Sequence, residues 1–187
     1  VKKGNKVFTN AGHAPMGWGL PAAIGAATKI CDEGARVFCI TGEGGLMMNI
    51  QELATLSYHK LNVIIFIFNN GGYQTIKQTQ QLSFKGNLMG STAESGLFFP
   101  DFRQLALSFN INYSLINDKD NLHSIELGIV SGPIIFELML DEEQEHGCKL
   151  ITKRDGRGDF IYSDYDDVYP FIDEHKLKAY RSELNLI

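Results

Sequence analysis

Arg36-Val-Phe-Cys-Ile-Thr-Gly-Glu-Gly-Gly-Leu46, with Asn62-Val-Ile-Ile-Phe-Ile-Phe-Asn-Asn70 behind it, decides the fold. Val37 to Ile40 is a short apolar run rich in β-formers and reads as a buried strand. It stops at Gly42-Glu43-Gly44-Gly45. An amphipathic helix is expected from about Met47 to His59, and Asn62 to Phe68 returns as a second strand ending on Asn69-Asn70-Gly71-Gly72. The unit is strand–turn–helix–strand, with a polar or acidic group where each strand ends. In parallel α/β sheets, ligands sit at the carboxyl ends of the strands.

Glycines after a strand let the backbone approach a phosphate, and the following helix offers free N–H groups and its positive dipole end. A carboxylate in that turn, Glu43, would repel phosphate unless a hard cation stood between them. Mg²⁺ suits this role, because it takes oxygen ligands in octahedral geometry and is usually held by one or two protein groups plus substrate phosphates. The amide oxygen of Asn70 and a backbone carbonyl just beyond it would complete the protein's share.

The order Gly-acid-Gly, then Gly45 to Phe68, then Asn69-Asn70 resembles the diphosphate/Mg²⁺ motif of thiamine-diphosphate enzymes. Gly12-His-Ala-Pro-Met-Gly-Trp-Gly-Leu-Pro-Ala-Ala-Ile-Gly25, Pro100-Asp-Phe-Arg-Gln-Leu-Ala106 and Gly132-Pro-Ile-Ile-Phe-Glu137 resemble the acetohydroxyacid (acetolactate) synthase-like branch. The resemblance covers nearly the whole chain. It implies the C-terminal, diphosphate-binding domain of such an enzyme, which acts on a 2-keto acid with an aldehyde or keto acceptor. By the same resemblance Glu43, Asn70 and the Gly72 carbonyl hold Mg²⁺. Gly42, Gly44, Gly45 and Tyr73 border the diphosphate. Met16 props the cofactor in a bent shape, and the Ala14 carbonyl accepts from its amino group.

Three departures stand out. The family usually has Asp where this chain has Glu43. Thr75 and Thr79 replace the Met and Trp that line the substrate pocket of acetohydroxyacid synthases, so a substrate pair other than two pyruvates is expected, with a hydroxylated or sugar-like aldehyde as a fitting acceptor. Nothing here resembles the pyrimidine-binding domain that carries the activating glutamate, and the family's diphosphate domain normally starts a few tens of residues before Val1, with a strand this chain would lack. The expectation is therefore a fragment or split half of a homo-oligomeric enzyme, inactive alone.

The rest of the chain reads as alternating strands and helices, hence a three-layer α/β/α sandwich around a mostly parallel sheet. A first short strand is expected at Val7-Phe-Thr9. A helix runs through Ala22 to Ile30, with Pro21 in its first turn, a close-packing small face of Gly25, Ala26 and Ala27, and Asp32-Glu-Gly34 as its stop. A helix should span Gly71 to Gln81, and residues 82–100 form a long loop of the functional or mobile kind. Asp101 caps a helix over Phe102 to Phe109. Tyr113 to Ile116 is a strand, Lys119 to Val130 a helix, and Pro133 to Leu140 the last strand. Residues 1–140 then form the cofactor domain. Residues 141–187, acidic and aromatic, form an extension that wraps this domain or meets a neighbouring subunit.

The 187 residues are 44% hydrophobic and 21% charged, with net charge -5 and scattered basic residues. This argues for a globular protein and against nucleic acid as partner. The longest apolar run, Val63 to Phe68, is too short to span a bilayer, and no membrane partner is expected. Three widely spaced cysteines suit a reducing compartment such as the cytoplasm. Two other readings compete: a non-catalytic module of the same fold that has lost metal affinity through Glu43, and a nicotinamide dehydrogenase. The second lacks the glycine spacing of a dinucleotide fingerprint. His13 lies beside Ala14 and Met16, whereas His59, His123, His146 and His175 show no ligand spacing.

Overall fold

The computed structural model describes residues 3–30, 35–118, 131–144 and 147–184. In chain order the elements are α1 (Gly19–Ala27), β1 (Val37–Gly42), α2 (Glu43–Met47), α3 (Glu52–Tyr58), β2 (Val63–Asn69), α4 (Gln74–Ser83), α5 (Phe102–Ser108), β3 (Asn112–Ile116), β4 (Ile134–Met139), β5 (Thr152–Arg154), β6 (Phe160–Tyr162) and α6 (Glu174–Glu183). The four longer strands form one all-parallel sheet in the order β1-β2-β4-β3. β-branched and aromatic side chains dominate β2 and β4, as strands buried on both faces require. Alternation sends Cys39, Val63, Ile65, Ile67 and Ile135 to one face, where Leu20, Ala23 and Ile24 of α1, Leu46 of α2, Leu53 and Leu56 of α3, and Phe102 and Ala106 of α5 complete the core. The opposite face carries Ile64, Ile116, Ile134 and Phe136. There Phe66 stacks between Phe38 and Phe136. Burial pushes the Cys39 thiol up to about 11, so it stays a protonated, inert core group.

Several expectations change. Val7 and Phe8 are 72% and 71% exposed, and residues 7–9 form no strand. Three residues gain little from an extended shape without a neighbour to share a hydrogen-bond ladder. The helix expected over Met47 to His59 begins four residues earlier, at Glu43, and breaks between Met47 and Glu52. Through the break the backbone makes three-residue bonds, Glu52 N to Asn49 O and Leu53 N to Ile50 O. The Asn49 side chain meanwhile donates 3.0 Å to the Gly17 carbonyl. This long-range anchor holds residues that would otherwise continue the helix. Helix α1 ends at Ala27 and buries Leu20, Ala23 and Ile24, whereas Gly25 faces open space rather than a close-packed neighbour. Asp101 caps α5 by accepting from Gln104 N at 2.9 Å, as expected. Cys31, the stop at residues 32–34, the helix at 119–130, His123 and His146 lie outside the described residues.

Residues 143, 144 and 149 make polar contacts with α4. The antiparallel pair β5–β6 is closed by a turn in which Asp155 Oδ1 accepts from Arg157 N and Asp159 N. Gln74 Nε2 donates 2.8 Å to the Gln144 carbonyl, Lys77 pairs with Glu143 at 2.9 Å, and Lys149 Nζ donates to the Thr75 carbonyl at 3.1 Å. Arg181 of α6 bridges Asp164 and Asp166.

Ile65, fully buried on the central strand, supplies a direct check of the core. Ile65→Ala should lower stability by ~2–5 kcal/mol in chemical denaturation, as for other buried aliphatic truncations. Tyr162→Ala, at a site 91% exposed, should stay within ~0.5 kcal/mol of the parent.

Candidate functional site

Strand β1 ends at Gly42, and the next residue, Glu43, opens α2 with its side chain only 2% exposed. Because β1 and β2 are parallel neighbours in register, the turn after β2 lies alongside the turn after β1. Glu43 Oε1 crosses that gap and accepts the backbone N–H groups of Asn70 at 3.2 Å and Gly72 at 2.9 Å. One terminal atom of the Asn70 amide lies 2.9 Å from Glu43 Oε1 and 2.9 Å from the Gly72 carbonyl oxygen. The amide satisfies both oxygens with its NH₂ there; turned by half a revolution, it offers its own oxygen at the same point. Burial pushes the Glu43 carboxyl above the usual range, assisted by the charge of Glu137 and opposed by the N–H donors.

This donor set suits a hard cation. Adjacent oxygens of an octahedron with ~2.0–2.1 Å bonds sit ~2.9 Å apart. The two 2.9 Å spacings of Glu43, Asn70 and Gly72 match such an edge. One carboxylate, one amide and one carbonyl are hard oxygen donors, suited to Mg²⁺ that draws its other ligands from phosphate and water.

The glycines around Glu43 make room for neighbours. A Cβ on Gly44 would stand 2.1 Å from the Tyr73 ring and 2.6 Å from Met16 Cε, and one on Gly45 would stand 2.6 Å from Thr41 Oγ1. Met16, Gly44 and Tyr73 are thereby brought into one contact. Met16 is still 47% exposed. Ala14 sits on the same loop with φ of 44°, a left-handed value rare outside glycine. A Cβ on Gly72 would meet the Ser91 carbonyl at 2.5 Å. Tyr73 N donates 2.9 Å to that same carbonyl, and Gly72 bridges Thr92 in antiparallel fashion. The irregular segment after α4 therefore backs the Gly72 turn. Its own shape is fixed by Ser95 Oγ, which accepts from the N–H groups of Ser91 and Thr92. His13 is exposed on the loop of Ala14 and Met16, and Thr75 and Thr79 lie on α4.

Glu137 stood in the sequence only as the end of a family-like stretch, with no site role. Glu137 on β4 is a buried carboxylate, 6% exposed, that accepts from the Asn69 side-chain amide and from the Tyr113 hydroxyl. Burial, and next the bond to Glu137, raise the Tyr113 hydroxyl above its ordinary range. The available signal was a charged residue inside the apolar run Pro133 to Leu140, since a buried charge demands partners.

An all-parallel sheet with an acid-bearing glycine turn after one strand and an amide-bearing turn after the next defines an α/β cofactor-binding domain. Residues 1–127 match the family described as "Thiamine pyrophosphate enzyme, C-terminal TPP binding domain". The acetolactate synthase large subunit of Cyanidium caldarium is 36% identical over 137 residues, 72% of this chain and 23% of that protein. The acetolactate synthase isozyme 1 large subunit of Escherichia coli (strain K12) is 34% identical over 140 residues, 74% of this chain and 24% of that protein. In fold, the benzoylformate decarboxylase from Polynucleobacter necessarius matches with a TM-score of 0.62 at 23% identity, over 70% of this chain and 24% of that one. The chain belongs to the thiamine pyrophosphate (thiamine diphosphate) enzymes, as their C-terminal cofactor-binding domain, and is acetolactate synthase-like. It spans about a quarter of the length of these curated relatives.

The Gly44–Tyr73 contact can be read by a double-mutant cycle. Gly44→Ala should cost ~1–3 kcal/mol in denaturation, the range for overpacking. In a Tyr73→Ala background the same change should cost markedly less, because the ring it strikes is gone.

Proposed function

We propose that this chain holds thiamine diphosphate through Mg²⁺ for a 2-keto acid decarboxylase or carboligase of the acetolactate synthase-like group. The carrying observation is the convergence of Glu43, Asn70 and the Gly72 carbonyl at 2.9 Å spacings. Thiamine diphosphate, when bound, would supply the carbanion chemistry for decarboxylating a 2-keto acid. The chain's own work is binding and orientation. Glu43, Asn70 and Gly72 hold the cation, and Gly44 and Gly45 offer backbone N–H groups to the diphosphate. Gly42 keeps the strand end extended before the helix. Met16, lodged against Gly44 and Tyr73, would prop the cofactor, and the Ala14 carbonyl would accept from its amino group.

The polar α4 face supports an acceptor other than pyruvate. Thr79 Oγ1 donates 2.9 Å to the Thr75 carbonyl, and Lys149 reaches the same carbonyl from the extension. A hydroxylated aldehyde is the favoured acceptor. Phe38, Ile40 and Phe68 are exposed; they favour contact with a pyrimidine-binding domain or a second subunit of a homo-oligomer. The contacts along α4 favour residues 1–140 as the cofactor domain, with 141–187 as an extension packed on it. Cys39 and Cys148 are free thiols, in keeping with a cytoplasmic setting. Among the described residues no helix is long and apolar enough to cross a membrane.

Calorimetric titration of thiamine diphosphate into the whole protein tests the metal. Binding should require Mg²⁺ and be abolished by EDTA. Glu43→Gln should weaken it more than ~100-fold, beyond the ~10–100-fold typical of outer-shell changes, and Glu43→Asp should retain it. Binding that ignores both Mg²⁺ and Glu43→Gln would overturn the assignment; binding only after Glu43→Asp would favour the non-catalytic module. Product analysis tests the acceptor: acetolactate as the main product from pyruvate would refute a polar one.

A further inference from the structure

We propose that Glu137 is a positioning residue that sets the geometry of the Asn70–Gly72 turn through the side chain of Asn69. The inference rests on the Mg²⁺ reading of that turn given above. Asn69 closes β2, and its side chain is used at both ends. Its amide NH₂ donates to Glu137 Oε1, and its Oδ1 accepts the Gly71 N–H at 3.0 Å. Its backbone carbonyl accepts from Leu140 N at 2.8 Å, just beyond β4. Gly71 adopts a φ of +75°, which swings the chain back so that Gly72 N reaches Glu43 at 2.9 Å. The other oxygen of Glu137 accepts from the Tyr113 hydroxyl on β3. A continuous path thus runs Tyr113, Glu137, Asn69, Gly71, Gly72, Glu43, and each step is a hydrogen bond or a peptide link.

The chemistry fits holding, not reacting. Both groups on Glu137 are neutral donors, and both of its oxygens are engaged. Asn69 is an amide because it must donate to a carboxylate and accept from an N–H at once, which a carboxylate or an apolar side chain in its place could not do. With this clamp intact, Asn70 and the Gly72 carbonyl are delivered at a fixed distance from Glu43. Without it, Asn69 rotates freely and the turn loses its reference to the sheet.

The test compares Glu137→Met, which removes both acceptors, with Glu137→Gln, which keeps one for Asn69 while its NH₂ donates to the Tyr113 oxygen. In the whole protein, the Mg²⁺ concentration giving half-maximal thiamine diphosphate binding should rise ~10–100-fold for Glu137→Met. For Glu137→Gln it should stay within about threefold of the parent, because the hydrogen bond to Asn69 is retained. At saturating Mg²⁺ the cofactor affinity of Glu137→Met should return to the parent value, a split that general unfolding would not produce. Should Glu137→Met fail to fold, Asn69→Ala cuts the same bond from the half-buried end and should show the same split.

Hydrogen exchange over residues 69–73, read without metal, makes the outcome independent of the cofactor. The Gly71 and Gly72 amides should exchange at least about tenfold faster in Glu137→Met and Asn69→Ala than in the parent or Glu137→Gln, since exchange follows local opening. A parent that shows no Mg²⁺ dependence, yet shows this exchange pattern, would sink the metal reading and leave the clamp standing. Unchanged exchange and unchanged Mg²⁺ requirement in Glu137→Met, or equal losses in Glu137→Gln and Glu137→Met, would overturn the clamp, the latter by showing that charge alone matters.

Discussion

A buried carboxylate that reaches from one strand end to the next is the constraint on which the site depends. Glu43 lies almost fully out of solvent, and taking a carboxylate out of water is costly unless its oxygens are satisfied. Its carboxylate accepts two backbone N–H groups from the 70–72 turn, so the turn cannot drift without stranding it. The parallel register of β1 and β2 brings the two turns together, and the glycines keep the approach free of side chains. Fold and site are thereby one arrangement. The same contacts that end the two strands bring the Glu43 carboxylate, the Asn70 amide and the Gly72 carbonyl together at 2.9 Å spacings.

Around that centre the structure is built in layers of support. The Gly17 loop, which carries Ala14 and Met16, is fastened by Asn49 from the break between α2 and α3. The segment after α4 closes over Gly72 through Ser91, whose hydroxyl donates 2.7 Å to Gln80 of α4. The extension fastens α4 from its other side through Gln144, Glu143 and Lys149. Beneath the turn, Glu137 and Tyr113 tie Asn69 to the sheet. Most of these supports are polar contacts made over a long sequence separation, as in Asn49 to Gly17, Gln74 to Gln144 and Asn69 to Glu137.

The pattern of what was legible follows from that. Val37 to Ile40, Asn62 to Phe68 and Pro133 to Leu140 were readable as strands because long apolar runs of β-branched and aromatic residues have few other uses. Asp101 announced its helix because a cap is a local device. That the turn of Glu43 would meet the turn of Asn70 and Gly72 was readable through the order of strand, turn, helix and strand along the chain. The break in the second helix was not readable, because Asn49 acts through Gly17, which is remote in sequence. Val7 to Thr9 misled because a strand-like composition says nothing about whether a neighbouring strand is there. Glu137 passed as one more residue of a strand, since its importance lies in the Asn69 and Tyr113 side chains that face it.

The proposed sharing of one divalent cation by Glu43, Asn70 and the Gly72 carbonyl is open to direct observation. Crystals of the whole protein grown with thiamine diphosphate and Mn²⁺, which takes the same oxygen ligands as Mg²⁺, test it through the anomalous signal of the manganese. The account predicts one peak in contact with all three oxygens, with the Asn70 amide turned so that its oxygen faces the metal. A fully bound cofactor with no peak there, or a peak that leaves out Glu43, would contradict it.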